Sequence, residues 1–132
     1  MLTATAPEAP TPTLFLEPTD RAPQRARTFL ADRFREWGIT DDYVGRLVVC
    51  ELVTNAWRHG DGQIIVRVFR DERDGLVVIE VWDQGPDLPV IQPENYAATS
   101  GRGLFLMSHL VRAWGTRPLM EGGKVVWAKC AF

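Results

Sequence analysis

One run of the chain is apolar enough for a buried helix and yet carries two polar residues four positions apart. The run extends from Val44 to His59, and Glu51 and Asn55 interrupt it. In an α-helix, residues four apart lie on one face, about 6 Å apart along the axis, while Leu52 and Val53 fall on the other side. A polar group left unpaired among apolar neighbours costs about 1–3 kcal/mol. The segment therefore predicts a largely buried helix whose carboxylate and amide have a partner, supplied by the protein or by a ligand.

Length and composition narrow the class of protein. At 132 residues the chain can form one hydrophobic core but not two. Its net charge of −2 argues against non-specific nucleic-acid binding, which needs a basic surface. Cys50 and Cys130 stand alone in apolar segments, without the spacing of a zinc site or a redox motif, which favours a reducing compartment.

The start of the chain does not resemble a targeting segment. Residues 1–13 are rich in Ala, Pro and Thr and have neither a basic region nor an apolar stretch, so we predict a disordered tail there rather than a signal peptide. No run approaches the roughly 18 apolar residues that span a bilayer. We expect a soluble, cytoplasmic protein.

Hydrophobic periodicity predicts the element order β-α-α-β-β-α-β-β. The predicted strands are 14–16, 64–69, 76–82, 116–120 and 125–132; the predicted helices are 21–37, 103–114 and one that runs from a Thr40 or Asp41 cap to His59. Thr19 or Asp20 is expected to cap the first helix. This order predicts an α/β two-layer sandwich over residues 14–132, with helices on one face of an antiparallel-rich mixed sheet.

The Glu51 and Asn55 side chains on this helix have two chemical interpretations. An Asn55 amide oxygen suits Mg²⁺, and the Glu51 carboxylate can act as a general base toward a hydroxyl beside a phosphate. Arg58 lies on nearly the same face and could hold a phosphate oxygen. The alternative is a solvated stripe in which Glu51 pairs with an arginine.

Two further motifs stand where predicted elements begin or end. Asp83 ends a strand two residues before Gly85, where a carboxylate can accept a hydrogen bond from the exocyclic amine of adenine. An ordinary turn would have the same sequence. Thr99-Ser100-Gly101-Arg102-Gly103-Leu104 opens the third helix, so its backbone N–H groups could bind phosphate. The alternative here is a glycine hinge in a mobile loop.

The three motifs occur in the order of a known nucleotide-binding pattern. Glu51-x-x-x-Asn55 resembles the N box, Asp83-x-Gly85 the G1 box and Gly101-x-Gly103 the G2 box of the Bergerat-fold ATPases, which include gyrase, heat-shock chaperones, histidine kinases and mismatch-repair proteins. The single-domain length, the Glu-Leu-Val-Thr-Asn-Ala-x-x-His-Gly run and the short loop between the boxes resemble the anti-sigma factor serine/threonine kinases. The resemblance covers about residues 14–132 and implies a histidine-kinase-like ATPase fold.

The resemblance also implies a role for each matching residue. Asn55 would coordinate Mg²⁺, Glu51 would accept a proton from a partner's serine, and Asp83, with Gly85, would read the adenine of ATP. The phosphates would be held by Thr99, Ser100, Gly101, Arg102, Gly103 and Leu104, their developing charge would be neutralised by Arg58 or His59, and the loop Asp87 to Ser100 would be the ATP lid.

Other functions remain open at this point. Asp87 stands where the family often has a further glycine of the G1 box, which favours the alternative of a nucleotide-responsive regulatory binding module without kinase activity. A detached histidine-kinase catalytic domain fits less well, because only His59 and His109 are present and no helix pair bearing a phospho-accepting histidine precedes them. His59 at a helix end could simply complement the helix dipole.

The expected partners follow from the resemblance. They are a sigma factor and an anti-sigma factor antagonist protein, with no direct nucleic acid and no membrane, and a homodimer is implied as well. Arg21, Arg25 and Arg27 on the first helix are candidates for meeting an acidic patch, or they form a solvated helix face.

Overall fold

The computed structural model describes residues 11–85 and 102–132, which contain the predicted elements in the predicted order. The strands are β1 Thr13–Leu16, β2 Ile64–Asp71, β3 Leu76–Asp83, β4 Ala113–Pro118 and β5 Lys124–Cys130. The helices are α1 Ala22–Glu36, α2 Tyr43–His59 and α3 Arg102–Ser108. Residues 1–10 of the predicted tail lie outside the described ranges. Within those ranges, no helix is both long and apolar enough to cross a membrane.

The strands form one sheet in the order β1-β2-β3-β5-β4. The predicted antiparallel-rich sheet is confirmed, and in the described part of the chain every pairing is antiparallel. The register aligns Val66 with Val81 and Val81 with Val126, so these side chains share one face. Because side chains alternate along a strand, that face is apolar and is covered by the helices.

The core lies between this face and the helices, as the period of apolar residues predicts. The α2 residues Val48, Val49, Leu52, Val53 and Ala56 are buried, which confirms that Glu51 and Asn55 lie on the other side of the helix. Helices α1 and α2 approach closely at Gly45, where an added Cβ would lie 3.0 Å from Phe34 and 3.1 Å from Leu30. A larger residue there would separate the two helices.

The third helix is shorter than predicted. It ends at Ser108, whose hydroxyl donates to the Phe105 carbonyl at 2.6 Å. Local bonds of this kind compete with the helical ladder. Four residues later the Arg112 N–H donates to the Lys129 carbonyl at 2.8 Å, and pairing with β5 continues. The prediction of helix up to Trp114 is wrong because Trp114 lies in strand β4.

The residues expected to cap the helices lie just outside them. The N-cap positions are Arg21 and Asp42, and neither side chain makes a capping bond. Instead Thr19 Oγ1 accepts a hydrogen bond from the Arg21 N–H at 3.3 Å, and Asp41 Oδ1 accepts one from the Tyr43 N–H at 3.2 Å. These residues therefore turn the chain before each helix begins.

Candidate functional site

Helix α2 carries the first motif on a half-buried face. Glu51 and Asn55 are each partly exposed, while the opposite face of the helix is packed into the core. The Asn55 Nδ2 is buried and makes no hydrogen bond within the described ranges. The described residues therefore leave the Asn55 amide nitrogen without the partner that its burial calls for.

The surroundings of Glu51 hold its proton more tightly than water would. Burial raises the pKa of the Glu51 carboxyl, because it disfavours the charged form. The Asn55 amide and the positive charges of Arg58 and His59 lower this pKa but do not offset the burial. Asn55 lowers this pKa as a neighbouring polar group, although its Nδ2 forms no hydrogen bond of ordinary geometry. A carboxylate with a raised pKa is a better base near neutral pH.

The third motif meets Glu51 directly. A Cβ added at Gly103 would overlap the carboxyl carbon and both carboxylate oxygens of Glu51. Glycine is required at this point because the start of α3 lies against the carboxylate. Leu104, the next residue, is buried in the core, and α3 packs against α2. The fold thus brings the first and third motifs together.

The second motif lies at the end of β3, beside the end of α2. Asp83 is 2% exposed, and its Oδ1 accepts hydrogen bonds from the Gly85 N–H at 2.7 Å and from Lys124 Nζ at 2.9 Å. Lys124 begins β5 directly opposite Asp83 and is 5% exposed. The carboxylate is therefore held in a buried ion pair, which the sequence alone did not predict.

Glycines allow the backbone to close around Asp83. A Cβ at Gly60 would lie 2.6 Å from the Asp83 carboxyl carbon, and one at Gly85 would lie 2.7 Å from the Gly60 Cα. Gly123 has a φ of +84°, and a Cβ there would overlap the Asp83 carbonyl oxygen. The Gln84 N–H donates to the Asp61 carbonyl at 2.8 Å and ties the α2–β2 connection to the end of β3. Sequence analysis singled out Gly85 but missed Gly60, Gly123 and Lys124.

Of the remaining predicted site residues, some lie at the exposed end of α2 and others lie outside the described residues. Arg58 and His59 are exposed at the end of α2, and the Arg58 guanidinium lies 5.8 Å from the centre of the Trp57 ring. Trp57 is partly buried and packs against the core. The predicted residues Thr99, Ser100 and Gly101, the lid from Asp87 to Ser100, and the side chain of Arg102 lie outside the described residues.

The donor set fits a magnesium ion that is bound together with a substrate rather than a metal cage. Within residues 11–85 and 102–132 no group of three or more His, Cys, Asp or Glu side chains could hold a metal ion. Mg²⁺ typically keeps several waters and is shared between one or two protein oxygens and substrate phosphates. The Asn55 Oδ1 would supply one such oxygen, whereas the unpaired Nδ2 is a hydrogen-bond donor and is not a metal ligand.

The three arginines proposed to meet a partner do not lie on one surface. Arg21 and Arg25 are exposed and line a groove of about 590 Å³ between α1 and β1, to which Phe29 and Asp32 also contribute. Arg27 is half-buried and donates to Cys50 Sγ at 3.0 Å, so it joins α1 to α2. Only the first two remain candidates for contact with a partner.

Comparisons with known proteins identify the fold and the family. Residues 16–130 match the model of the histidine kinase-like ATPase domain family. No curated protein matches the chain in sequence. The crystal structure of the RsbU and RsbW domains of Rv1364c from Mycobacterium tuberculosis is similar over 93% of this chain, with a TM-score of 0.62 and 22% identity. The chain spans only 32% of the length of that structure.

A second solved structure shares the fold over its whole length. The catalytic domain of histidine kinase ThkA is similar over 91% of this chain and 96% of its own, with a TM-score of 0.54 and 15% identity. At these identities the two structures show the fold alone, and the fold predicted from the three motifs is confirmed. The family match covers nearly the whole described chain. The chain belongs to the histidine kinase-like ATPase domain family.

Proposed function

We propose that this protein binds Mg·ATP between α2, α3 and the end of β3, and transfers the γ-phosphoryl group to a serine of an anti-sigma factor antagonist. The observation that carries the proposal is the contact between Glu51 and Gly103, which places a carboxylate of raised pKa at the start of α3. In the resembling kinases these are the positions of the base and of the phosphate-binding glycine.

Glu51 would act on the incoming hydroxyl. As the serine oxygen bonds to the γ-phosphorus, the bond from that phosphorus to the β–γ bridging oxygen breaks, and the serine proton passes to the Glu51 carboxylate. ADP leaves with the bridging oxygen. Phosphoryl transfer needs little covalent help from the protein, so placing the hydroxyl and stabilising charge are the main tasks.

Other residues would bind and orient the nucleotide. Bound Mg²⁺ supplies neutralisation of the phosphate charge, and Asn55 is the residue that would hold it. Arg58 and His59 would add positive charge at the end of α2. Asp83, fixed by Lys124 and Gly85, would accept a hydrogen bond from the adenine amine.

The regulatory partners proposed are a sigma factor, which the protein would sequester, and the antagonist, which it would phosphorylate. The RsbW domain among the similar structures supports a proposal of this kind. Arg21 and Arg25 offer two exposed positive charges on the α1–β1 groove, where an acidic segment of a partner could bind. Homodimer formation is proposed on the resemblance alone.

Calorimetric titration of ADP and ATP, with and without Mg²⁺, tests the site. We expect Mg²⁺-dependent binding to the wild type and at least about tenfold weaker binding to Asn55→Ala. Gln24→Ala removes an exposed amide from α1 and serves as the matched control, with affinity unchanged. Absence of nucleotide binding to the wild type would overturn the proposal.

A transfer assay separates the kinase from a binding module. The wild-type protein is incubated with γ-labelled ATP, Mg²⁺ and the anti-sigma antagonist proteins of the source organism, and we expect labelling of a serine in one of them. If ADP and ATP bind but none of these proteins is labelled, the nucleotide-responsive binding module is the better account.

A further inference from the structure

The two buried polar side chains in the described ranges are those of Asp83 and Lys124. They face each other across β3 and β5, and Lys124 Nζ lies 2.9 Å from Asp83 Oδ1. The chain has two lysines, and the other, Lys129, is on the same strand with its ammonium more exposed. A charged pair in this position removes two ions from water, so it calls for an explanation beyond packing.

The hydrogen bonds within the pair are incomplete. Asp83 Oδ1 accepts both the Gly85 N–H and the Lys124 ammonium, and that ammonium also donates to the Gly85 carbonyl at 3.3 Å. A carboxylate has two acceptor oxygens and an ammonium has three donors. Within the described ranges, Oδ2 of Asp83 accepts no hydrogen bond and one ammonium hydrogen has no acceptor. Among the residues that the structure describes, the pair thus has one acceptor and one donor to which no partner is assigned.

Contacts with the backbone determine which oxygen of the Asp83 carboxylate is held within the protein. Gly60 and Gly85 press against the side of the carboxylate that bears Oδ1, since a Cβ at either position would lie 2.7 or 3.0 Å from that oxygen. Oδ1 is therefore the carboxylate oxygen that both glycines approach more closely. With Oδ1 held by two donors, the carboxylate cannot rotate without breaking a charged hydrogen bond.

We propose that Lys124 is a specificity-determining residue of the nucleotide site, which reads the adenine ring together with Asp83. Oδ2 accepts a hydrogen from the exocyclic amine, and the Lys124 ammonium donates its remaining hydrogen to the ring nitrogen next to that amine. The adenine edge offers a donor beside an acceptor, which complements the acceptor and donor that the pair retains. The assignment rests on the proposed binding of ATP and adds a second contact to the base.

The alternative role for Lys124 is purely structural, as the counter-ion of Asp83. In that case the ring nitrogen of the base would make no contact with the lysine, and only the amine would be recognised. The two roles differ in the ligand atom that matters, so changing the ligand distinguishes them without altering the protein.

A ligand series on the wild-type protein provides the test. Calorimetry would compare ADP with 1-deaza-ADP, in which the ring nitrogen becomes C–H, with purine riboside diphosphate, which lacks the amine, and with inosine diphosphate. We expect each analogue to bind at least about tenfold more weakly than ADP, because each leaves a buried donor or acceptor unpaired. Equal affinity for ADP and 1-deaza-ADP would overturn the assignment.

Lysine side-chain NMR gives a signal that changes on ligand binding in a way that a purely structural Lys124 would not show. With ¹⁵N-labelled lysine the protein has two side-chain ammonium signals, and Lys129→Met assigns them by removing the exposed one. Saturating ADP is expected to shift the Lys124 signal and slow its exchange with water, whereas saturating 1-deaza-ADP leaves that exchange as in the free protein. The same change with both ligands would make Lys124 structural. Failure of ADP itself to bind would overturn the proposed function and this assignment together.

Discussion

Glu51 and Asp83 are both carboxylates that the fold brings to one site, but they differ in the charge that faces them. Asp83 is buried against the Lys124 ammonium and the Gly85 N–H. Glu51 is half-buried, makes no ion pair with any residue in the described ranges, and has a raised pKa because burial outweighs Arg58 and His59. The first is held as a fixed acceptor, and the second is disposed to take up a proton.

The difference shows how one fold gives two carboxylates separate roles. A carboxylate tied by two donors to one of its oxygens is fixed in orientation, as recognition of a base requires. A carboxylate that is desolvated without a close counter-ion gains proton affinity, as a general base requires. In the proposed function the environment, more than the residue type, would separate binding from proton transfer.

Exchanging each carboxylate for its amide is expected to give the largest effects, one on phosphoryl transfer and the other on ADP binding. Glu51→Gln is expected to reduce phosphoryl transfer by about 10²–10⁴-fold while ADP affinity changes little, because a general base is lost and no binding contact is. Asp83→Asn is expected to weaken ADP binding at least about tenfold, because the amide no longer offers a second charged acceptor. Transfer rates and calorimetry on both variants measure this.

Glu36→Gln is the matched control for the glutamate, since Glu36 is exposed at the end of α1 and, among the described residues, pairs only with Arg33. Its transfer rate should equal that of the wild type. If Glu51→Gln retained full transfer activity, proton acceptance by Glu51 would be excluded.

The Asp83–Lys124 pair is expected to contribute more to the free energy of unfolding than Glu51 does. Lys124→Met leaves the Asp83 carboxylate buried without its counter-ion, and removal of one partner of such a pair costs about 3–5 kcal/mol. The free energy of unfolding in urea measures the loss. Lys129→Met, on the same strand, removes surface ion pairs at 3.4 and 3.6 Å and is expected to cost less than about 1 kcal/mol.

A double variant tests whether the loss of stability in Lys124→Met comes from the unpaired charge. Asp83→Asn combined with Lys124→Met removes both charges, so it should recover much of the stability that Lys124→Met loses. Equal losses in the single lysine variant and the double variant would mean that packing of the lysine stem, and not its charge, stabilises this end of the sheet.

Local patterns were enough to predict the fold and the location of the first motif. The apolar period of α2 predicted which side of the helix is buried, and the change from a helical period to alternation predicted the β2–β3 hairpin. The end of α3 could not be found this way, because Leu110 and Trp114 fit a helical spacing although strand pairing with β5 begins between them.

The Asp83–Lys124 pair depends on two strands that are distant in sequence. Residues 83 and 124 meet only because β5 pairs with β3 in one particular register. A signal was present: Lys124, Val126 and Ala128 alternate toward one face, so a strand begun one residue earlier than the predicted 125 would place a lysine among inward residues. A lysine at such a position needs a buried partner.

The contact between Gly103 and Glu51 predicts a smaller effect on the free energy of unfolding. The sign of the effect of Gly103→Ala depends on whether the Glu51 carboxylate is present. Gly103→Ala is expected to destabilise the protein by about 1–3 kcal/mol, because its Cβ would overlap the Glu51 carboxyl group. In a Glu51→Ala background the same change should become stabilising by up to about 1 kcal/mol, since alanine favours a helix over glycine. Urea unfolding of the four proteins completes the cycle. Equal effects in both backgrounds would show that the two residues do not touch.

The smallest expected effect follows from the raised pKa of Glu51. A carboxyl whose pKa is higher in the folded state binds more protons there than when unfolded, so its contribution to stability falls as pH rises from about 4.3 through the folded value. Glu51→Gln, which cannot ionise, should therefore be slightly more stable than the wild type at pH 7, and the gain is small because the side chain is partly exposed to solvent.

This gain should disappear below about pH 4, where the wild-type carboxyl is protonated as well. Thermal unfolding of both proteins from pH 4 to pH 8 measures the difference, and Glu36→Gln should show no gain at neutral pH because it loses an ion pair with Arg33. A gain for Glu51→Gln that is independent of pH would assign it to a new hydrogen bond between the glutamine amide and Asn55. Loss of the gain on acidification would instead show that the charge of Glu51 reduces the stability of the folded protein, as expected for a carboxylate positioned for proton transfer.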